Sequence, residues 1–210
     1  MRDPIVTRAA HAYPPHTADG RFVNLEPTPD RSLGEVMRWQ LGSRRDGQRG
    51  AWRRWTEIAP RPAPPVRVTE GVQVTWVNHA TALVQLAGRN LLTDPVWSER
   101  VSPVSFAGPR LRHAPGIALD ALPPLDAVLL SHDHYDHLDV ATLRALAARH
   151  RMPILTGLGN AAYLAREGVA GAVELDWGDA ARLAGDGEAV ELTFVPARHW
   201  SSRRAGDRRR

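Results

Sequence analysis

The sequence contains no cysteine. That excludes a disulfide framework and thiolate metal ligation, so any metal has to be held by histidine or carboxylate side chains. The chain also lacks any apolar run near the roughly 20 residues that cross a bilayer. Its opening stretch, MRDPIVTRAAHAYPPHTADG, has no apolar segment of signal-peptide length. A cytoplasmic location is the default expectation, with membrane association left open by the basic residues. The formal net charge of +4 rests on arginines grouped between Arg44 and Arg61 and in the tail from Arg203 to Arg210. Such groups can hold nucleic acid or an anionic membrane surface, but a solvated basic face is commoner, and the charge alone decides nothing.

What is present is enough for one sizeable core: 210 residues, 43% of them hydrophobic. Residues 1 to 30 show no periodicity and read as an irregular arm. Ser32 and Glu35 then have the spacing of a capping box, and Leu33, Val36, Met37 and Leu41 fall on one helical face. Trp52, Trp55 and Ile58 are spaced for a second accessory helix, for which packing on the main domain is preferred over lying on a membrane surface. PRPAPP, Pro60 to Pro65, can be neither helix nor central strand and marks a linker. The chain therefore divides into a segment 1–65, an arm with accessory helices and linker, and a main domain 66–210.

Within the main domain, alternation and β-branched residues predict strands near 66–69, 72–77, 82–86 and 90–93, with Glu70-Gly71 and Gly88-Arg89-Asn90 as turns. A long Pro- and Gly-containing loop follows from Pro95 to Pro124, read as irregular but ordered. DAVLLS reads as a buried strand and DVATLRALAARH as a helix capped by Asp139, with Val140, Leu143, Leu146 and Ala147 inward. PILT, a helix near 159–167, a strand near 172–175 and a last strand at ELTFVPA complete an alternating β/α series.

The stretch LLSHDHYDHLD, Leu129 to Asp139, places three histidines and three aspartates directly after the buried strand. His132 and His134 are two apart, so on an extended segment they point the same way and can close on one ion. A zinc protease helix would set its histidines four apart. Asp136 and His137 can face the same cavity from the other side as the chain turns into its helix. Four potential ligands in six residues would be costly to bury unpaired, and a metal removes that cost. A zinc site takes three protein ligands, so a third must come from elsewhere. His199, in FVPARHWSS, also lies just past an apolar strand and is the best candidate. His79 follows a strand too, but a loop histidine hydrogen-bonded to backbone is the preferred reading for it. Asp94, in LLTDP, suits either a carboxylate orienting a ligand histidine or a turn residue before Pro95. His11, His16, His113 and His150 have no such context.

HDHYDH after an apolar strand matches the H-x-H-x-D-H signature of the metallo-β-lactamase superfamily. The wider context, NHATALVQLAGRNLLTDPVWSERVSPVSFAGPR, LPPLDAVLLSHDHYDHLD, VELDWGD and VPARHWSSR, resembles the branch of N-acylphosphatidylethanolamine-hydrolysing phospholipase D and its bacterial relatives. The resemblance runs from about Val72 onward. It implies an α/β fold of the α+β type, an αββα sandwich of which this chain carries the N-terminal half plus the arm. It also implies one or two metals, with zinc first and iron or manganese as alternatives. In that pattern His132, His134 and His199 bind the first metal, and Asp136 and His137 the second, with Asp136 orienting or deprotonating the attacking water. The implied reaction is hydrolysis of a small-molecule or phospholipid phosphodiester, with peripheral membrane contact as a corollary.

Asn78 stands where the family usually has Gly, and both tolerate positive φ. Members of the family continue past the point where this sequence stops, through a bridging Asp and a last His, so a truncated chain of low stability and weak activity is expected. The rival readings are a metal-dependent nuclease and an inactive remnant. No basic groove interleaved with aromatics is visible, which makes nucleic acid the less favoured partner. The oligomeric state is not legible.

Overall fold

The computed structural model describes residues 3–9, 62–184 and 188–199, together with Phe22, Asn24, Leu25, Ser32, Gly34, Glu35, Met37, Arg38, Gly42, Ser201 and Arg203. Strands β2 (Val72–Asn78), β3 (Thr81–Leu86) and β4 (Arg89–Thr93) form an antiparallel meander after β1 (Ile5–Thr7). Ala87 and Gly88 both have positive φ, 47° and 70°, which is the backbone of the tight hairpin turn between β3 and β4. The turn therefore falls one residue earlier than the expected Gly88-Arg89-Asn90. Asn90 lies in β4 instead, fully buried, where its amide donates to the carbonyls of Val66 (2.9 Å) and Pro124 (2.7 Å).

Those bonds also account for a second departure, because residues 66–69 are not a strand. Carbonyls of the segment and of the residue before it are taken from outside: Gln85 donates to Pro65 O, Asn90 to Val66 O, and Gly88 N to Val68 O. Arg67 pairs with the buried Asp126, which also accepts from Asn90 N at 2.8 Å.

From β4 onward the connections are crossovers and the pairing is parallel, through β5 (Ala127–Leu130), β6 (Ile154–Gly157) and β7 (Ala172–Leu175). The six strands form one sheet in the order β2-β3-β4-β5-β6-β7. Helices α1 (Val140–Arg149) and α2 (Asn160–Arg166) fill the last two crossovers, β5 to β6 and β6 to β7. Asp139 caps α1 as expected, accepting from the amides of Ala141 and Thr142, while Arg149 in the last turn complements the helix dipole.

The period-two alternation of the strands sorts their side chains onto two faces. Val77, Leu83, Leu92, Val128, Leu130 and Ile154 pack with Leu143, Leu146 and Leu164 of the two helices. On the other face, Leu91 and Ala127 pack against Leu183 and Val190, and Leu155 and Leu175 against Ala181. These last partners belong to a second, antiparallel sheet of β1, β8 (Ala180–Leu183) and β9 (Val190–Thr193). Because both faces of β5 are covered, its sequence, Ala127–Leu130, reads as a continuous apolar run. The described residues thus build an α/β/β stack with a mixed central sheet. Val72, Val74 and Trp76 stand opposite Leu86, Val84 and Ala82 in the register of β2 and β3, and the three-stranded sheet leaves them exposed.

Two elements depart from the sequence reading. Ile5–Thr7 is not irregular: it forms β1 and pairs with β8, anchored by Arg8 and by Ala9 N on the Asp179 carboxylate (2.5 and 2.8 Å). The last strand is shorter than ELTFVPA: β9 ends at Thr193, Phe194 still exchanges backbone hydrogen bonds with Gly178 and Asp179 (2.7 and 2.8 Å), and residues 195–199 lead on to His199 at the site. The capping box forms as expected, Ser32 and Glu35 bonding reciprocally at 2.7 and 3.2 Å. Met37, expected on a packed face, is 61% exposed. The other residues of that face, Leu33, Val36 and Leu41, lie outside those described, as do Trp52, Trp55, Ile58, His11, His16 and the cluster from Arg44 to Arg61. Among the described residues, no helix is long and apolar enough to cross a membrane.

Candidate metal centre

The site lies at the carboxyl ends of the strands, where loops leave the sheet and backbone groups are free for ligands. β4 ends at Thr93 and delivers Asp94, and β5 ends at Leu130 and delivers Ser131 and His132. β2 runs in the same direction as β4, because each is antiparallel to β3, so its end delivers His79 to the same edge.

His132, His134 and His199 converge. His199 Nε2 lies 2.9 Å from His132 Nε2 and 3.2 Å from His134 Nδ1. A tetrahedron built on metal–nitrogen bonds of about 2.0 Å has edges of about 3.3 Å, so three imidazoles at these separations fit one small cation. A second group, Asp136, His137 and His79, has its ligand atoms within 4.8 Å of one another. His137 Nε2 is 3.8 Å from Asp136 Oδ2. All five predicted ligands are therefore brought together, three in one group and two in the other.

His79 departs from its expected role. Its side chain is not bonded to backbone but reaches Asp136, Nε2 to Oδ2 at 3.0 Å, and its carbonyl is the group that engages the loop, accepting from Trp76 Nε1 at 3.0 Å. The turn that carries it is pinned to the end of β4, with Thr81 Oγ1 donating to Asp94 O and Asn78 Nδ2 to Val96 O. That tertiary anchoring is invisible in the sequence, where only the position after a strand hinted at the site.

For Asp94 the structure selects the orienting role. The buried carboxylate accepts from Ser131 N at 2.8 Å and Ser131 Oγ at 2.7 Å, and lies 2.8 Å from His137 Nδ1. Since a carboxylate only accepts, His137 carries its proton on Nδ1 and turns Nε2 toward the second group. The Ser131 hydroxyl, its proton given to Asp94, accepts from His132 Nδ1 at 2.9 Å, which leaves His132 Nε2 as a lone pair facing the first group. One carboxylate thus sets the tautomer of a histidine in each group.

Proton affinities follow the surroundings. Burial, then the neighbouring His137, His199 and His134, push His132 from 6.5 down to about 3, against a smaller opposing pull from Asp94. His134 and His199 are lowered too, chiefly by burial. All three are neutral near pH 7, which is the form that ligates. Burial would lower His137 as well, but the hydrogen bond and charge of Asp94, with Asp136, outweigh it and raise its pKa. Burial would raise Asp136, and its own backbone amide with the imidazoles of His137, His79 and His134 outweigh that, so it is held ionised.

Sequence reasoning did not single out the residues that brace the H-x-H-x-D-H loop. Ser201 Oγ donates to Asp133 at 2.5 Å, and Arg203 donates to the carbonyls of Asp133 (2.6 Å) and Leu138 (3.0 Å). The Arg203 guanidinium lies 4.4 Å from the Tyr135 ring and 4.7 Å from that of Tyr163. The only signal available was their closeness to His199 in VPARHWSSR. His113 lies against Trp76, ring centroids 4.9 Å apart and tilted by 55°, and, like His150, belongs to neither group.

Residues 89–210 match the family profile described as a beta-lactamase superfamily domain. Uncharacterised proteins of Mycobacterium bovis and Mycobacterium tuberculosis are 41% identical over 206 residues, 93% of this chain and 52% of their own length. An N-acyl-phosphatidylethanolamine-hydrolyzing phospholipase D of Caenorhabditis elegans is 36% identical over 143 residues, 65% of this chain and 40% of its own. A UPF0173 metal-dependent hydrolase of Caldivirga maquilingensis is 30% identical over 128 residues, 60% of this chain and 48% of its own. The chain thus spans about half the length of the curated relatives it matches.

Proposed function

We propose, from the premise that this chain belongs to the β-lactamase superfamily, that it is a metal-dependent hydrolase of phosphodiesters. The observation that carries the metal dependence is the convergence of three neutral imidazoles, with nitrogens 2.9 and 3.2 Å apart, at the carboxyl edge of the sheet. The phosphodiester, and within that class a phospholipid taken from a lipid surface, is supported by the name of the nematode relative. Zinc is the metal proposed, because nitrogen-rich, thiolate-free sites of this size suit it, with iron or manganese as alternatives.

His132, His134 and His199 would hold the first cation, and Asp136 and His137 the second. Bound there, such cations supply Lewis acidity toward a phosphoryl oxygen and lower the pKa of an attacking water. Asp136 is ionised and 37% exposed on its side chain, so it can accept a hydrogen bond from that water and orient it. Asp94 and Ser131 keep His132 and His137 in the tautomers that ligate. Ser201 and Arg203 hold the loop that carries Asp136.

The test compares the intact protein with a His132→Ala, His134→Ala double variant for metal content by elemental mass spectrometry. It also measures hydrolysis of bis(p-nitrophenyl) phosphate and of N-acylphosphatidylethanolamine vesicles. The expected outcome is bound metal and chelator-sensitive hydrolysis of both substrates, both lost in the variant. Bound metal with no hydrolysis of either phosphodiester would remove the substrate assignment, and absence of metal would remove the function.

A further inference from the structure

His79 sits at φ 39°, a left-handed conformation that non-glycine residues rarely adopt and that persists where surrounding contacts enforce it. The enforcing contacts are specific. Trp76 Nε1 holds the His79 carbonyl, Asn78 is tied to Val96 O at 2.7 Å, and Thr81 is tied to Asp94 O at 2.6 Å. The effect is to aim the imidazole across the site at the aspartate of the H-x-H-x-D-H loop rather than out along the strand. Its ring meets that of His137 edge-on, centroids 5.3 Å apart.

We propose that His79 is a third protein ligand of the second cation, completing with Asp136 and His137 a three-residue set drawn from two separate loops. This inference rests on the metal-dependent reading above. The separations from Asp136 Oδ2, 3.0 Å to His79 Nε2 and 3.8 Å to His137 Nε2, bracket the roughly 3.3 Å between neighbouring ligand atoms of a tetrahedral site. Asp94 fixes the His137 tautomer so that Nε2 is the atom offered. The side chains of His79 and Asp136 are 44% and 37% exposed and that of His137 19%, so the set is closed by protein on one side and open to water or substrate on the other. A catalytic cation needs that arrangement of three ligands and an open position. The rival role, a hydrogen bond that merely orients Asp136, uses the same 3.0 Å contact, so the test has to separate ligation from hydrogen bonding.

Two measurements on the intact protein do so. In wild-type protein with 15N-labelled histidine, loaded with 113Cd, a one-bond 113Cd–15N coupling at the His79 ring identifies ligation directly and depends on no variant folding. In parallel, zinc content is compared between wild type and His79→Gln, whose amide can still donate to Asp136 but offers no imidazole nitrogen. The expected result is about two cations per wild-type chain, coupling at His79, and about one cation in the variant. Two cadmium ions without coupling at His79, or a variant that keeps two zinc ions at unchanged affinity, would overturn the inference and leave the hydrolase reading standing. A wild-type chain that takes one cation only would overturn it likewise. A chain that takes none would overturn both.

Discussion

At Asp94 the backbone is left-handed, φ 35°, and the carboxylate beneath it receives the Ser131 amide and hydroxyl and the His137 imidazole. Through Ser131 it also governs His132. A turn residue before a proline would be replaceable; this one is not. Asp94→Asn keeps the shape but gives the site an amide that can donate where the carboxylate only accepted, so it lets His137 present the wrong nitrogen. Carboxylates that orient ligand histidines are worth about 10–100-fold in metal affinity. Asp94→Asn is therefore expected to weaken cation binding by about that factor, measured by competition with a chromophoric chelator. Because the tautomers of both His132 and His137 depend on it, binding at both groups should weaken. An affinity within twofold of wild type would refute the orienting role.

Helix α1 shows the same economy at the level of an element. Asp139 caps it in the ordinary way, but the second carboxylate oxygen also receives Thr142 Oγ1 at 2.6 Å and the amides of Ser98 and Trp97 at 2.9 and 3.3 Å. The cap therefore ties the long loop after β4 to the helix that follows the metal-binding motif. A cap alone is worth about 1 kcal/mol, and removing it here also takes the acceptor from the buried Thr142 hydroxyl and the part-buried Ser98 amide, at about 1–3 kcal/mol each, while Trp97 N keeps Thr142 Oγ1. Asp139→Ala is expected to lose more than about 2 kcal/mol in urea unfolding, well beyond an isolated cap. A loss under about 1 kcal/mol would mean that the loop contacts contribute nothing.

Across the whole molecule, the N-terminal residues pair with β8 as the strand β1, and one carboxylate, that of Asp179, ties down Arg8 and Ala9 just beyond it. Burial would raise the pKa of Asp179, but the amides of Asp176 and Ala9 and the Arg8 guanidinium outweigh it, so the folded value lies below the usual carboxylate range. A carboxyl depressed in the folded state contributes stability that is fully present above its unfolded pKa, about 3.9, and is lost as pH falls through the folded value. Asp179→Asn should therefore destabilise the protein at pH 7 and cost progressively less as the pH drops below about 4. Urea unfolding of both proteins across that range checks it, and a penalty independent of pH would show that the ionised form contributes nothing.

The sequence by itself determined much of this protein, because its local signals are strong and agree. Alternation gave β2 to β4. Short apolar runs bounded by turns gave β5 to β7, and Ala172–Leu175 falls on its expected residues. Asp139 marked the start of α1, and the dense motif after β5 marked the site with His132, His134, Asp136 and His137, to which His199 was matched by its place past a strand. Tertiary structure decided what those signals could not carry. Ile5–Thr7 has too few residues to show a period and became a strand only because β8 offered it an edge. Residues 66–69 alternate as a strand would, yet the side chains of Gln85 and Asn90 hold the carbonyls of Pro65 and Val66 and keep the segment out of the ladder. Asp94 and His79 have neighbours in sequence that say nothing of their partners, because hydrogen bonds to residues 37 to 57 positions away set their roles. Pattern fixes which atoms are available, and only the closed sheet edge fixes which of them meet.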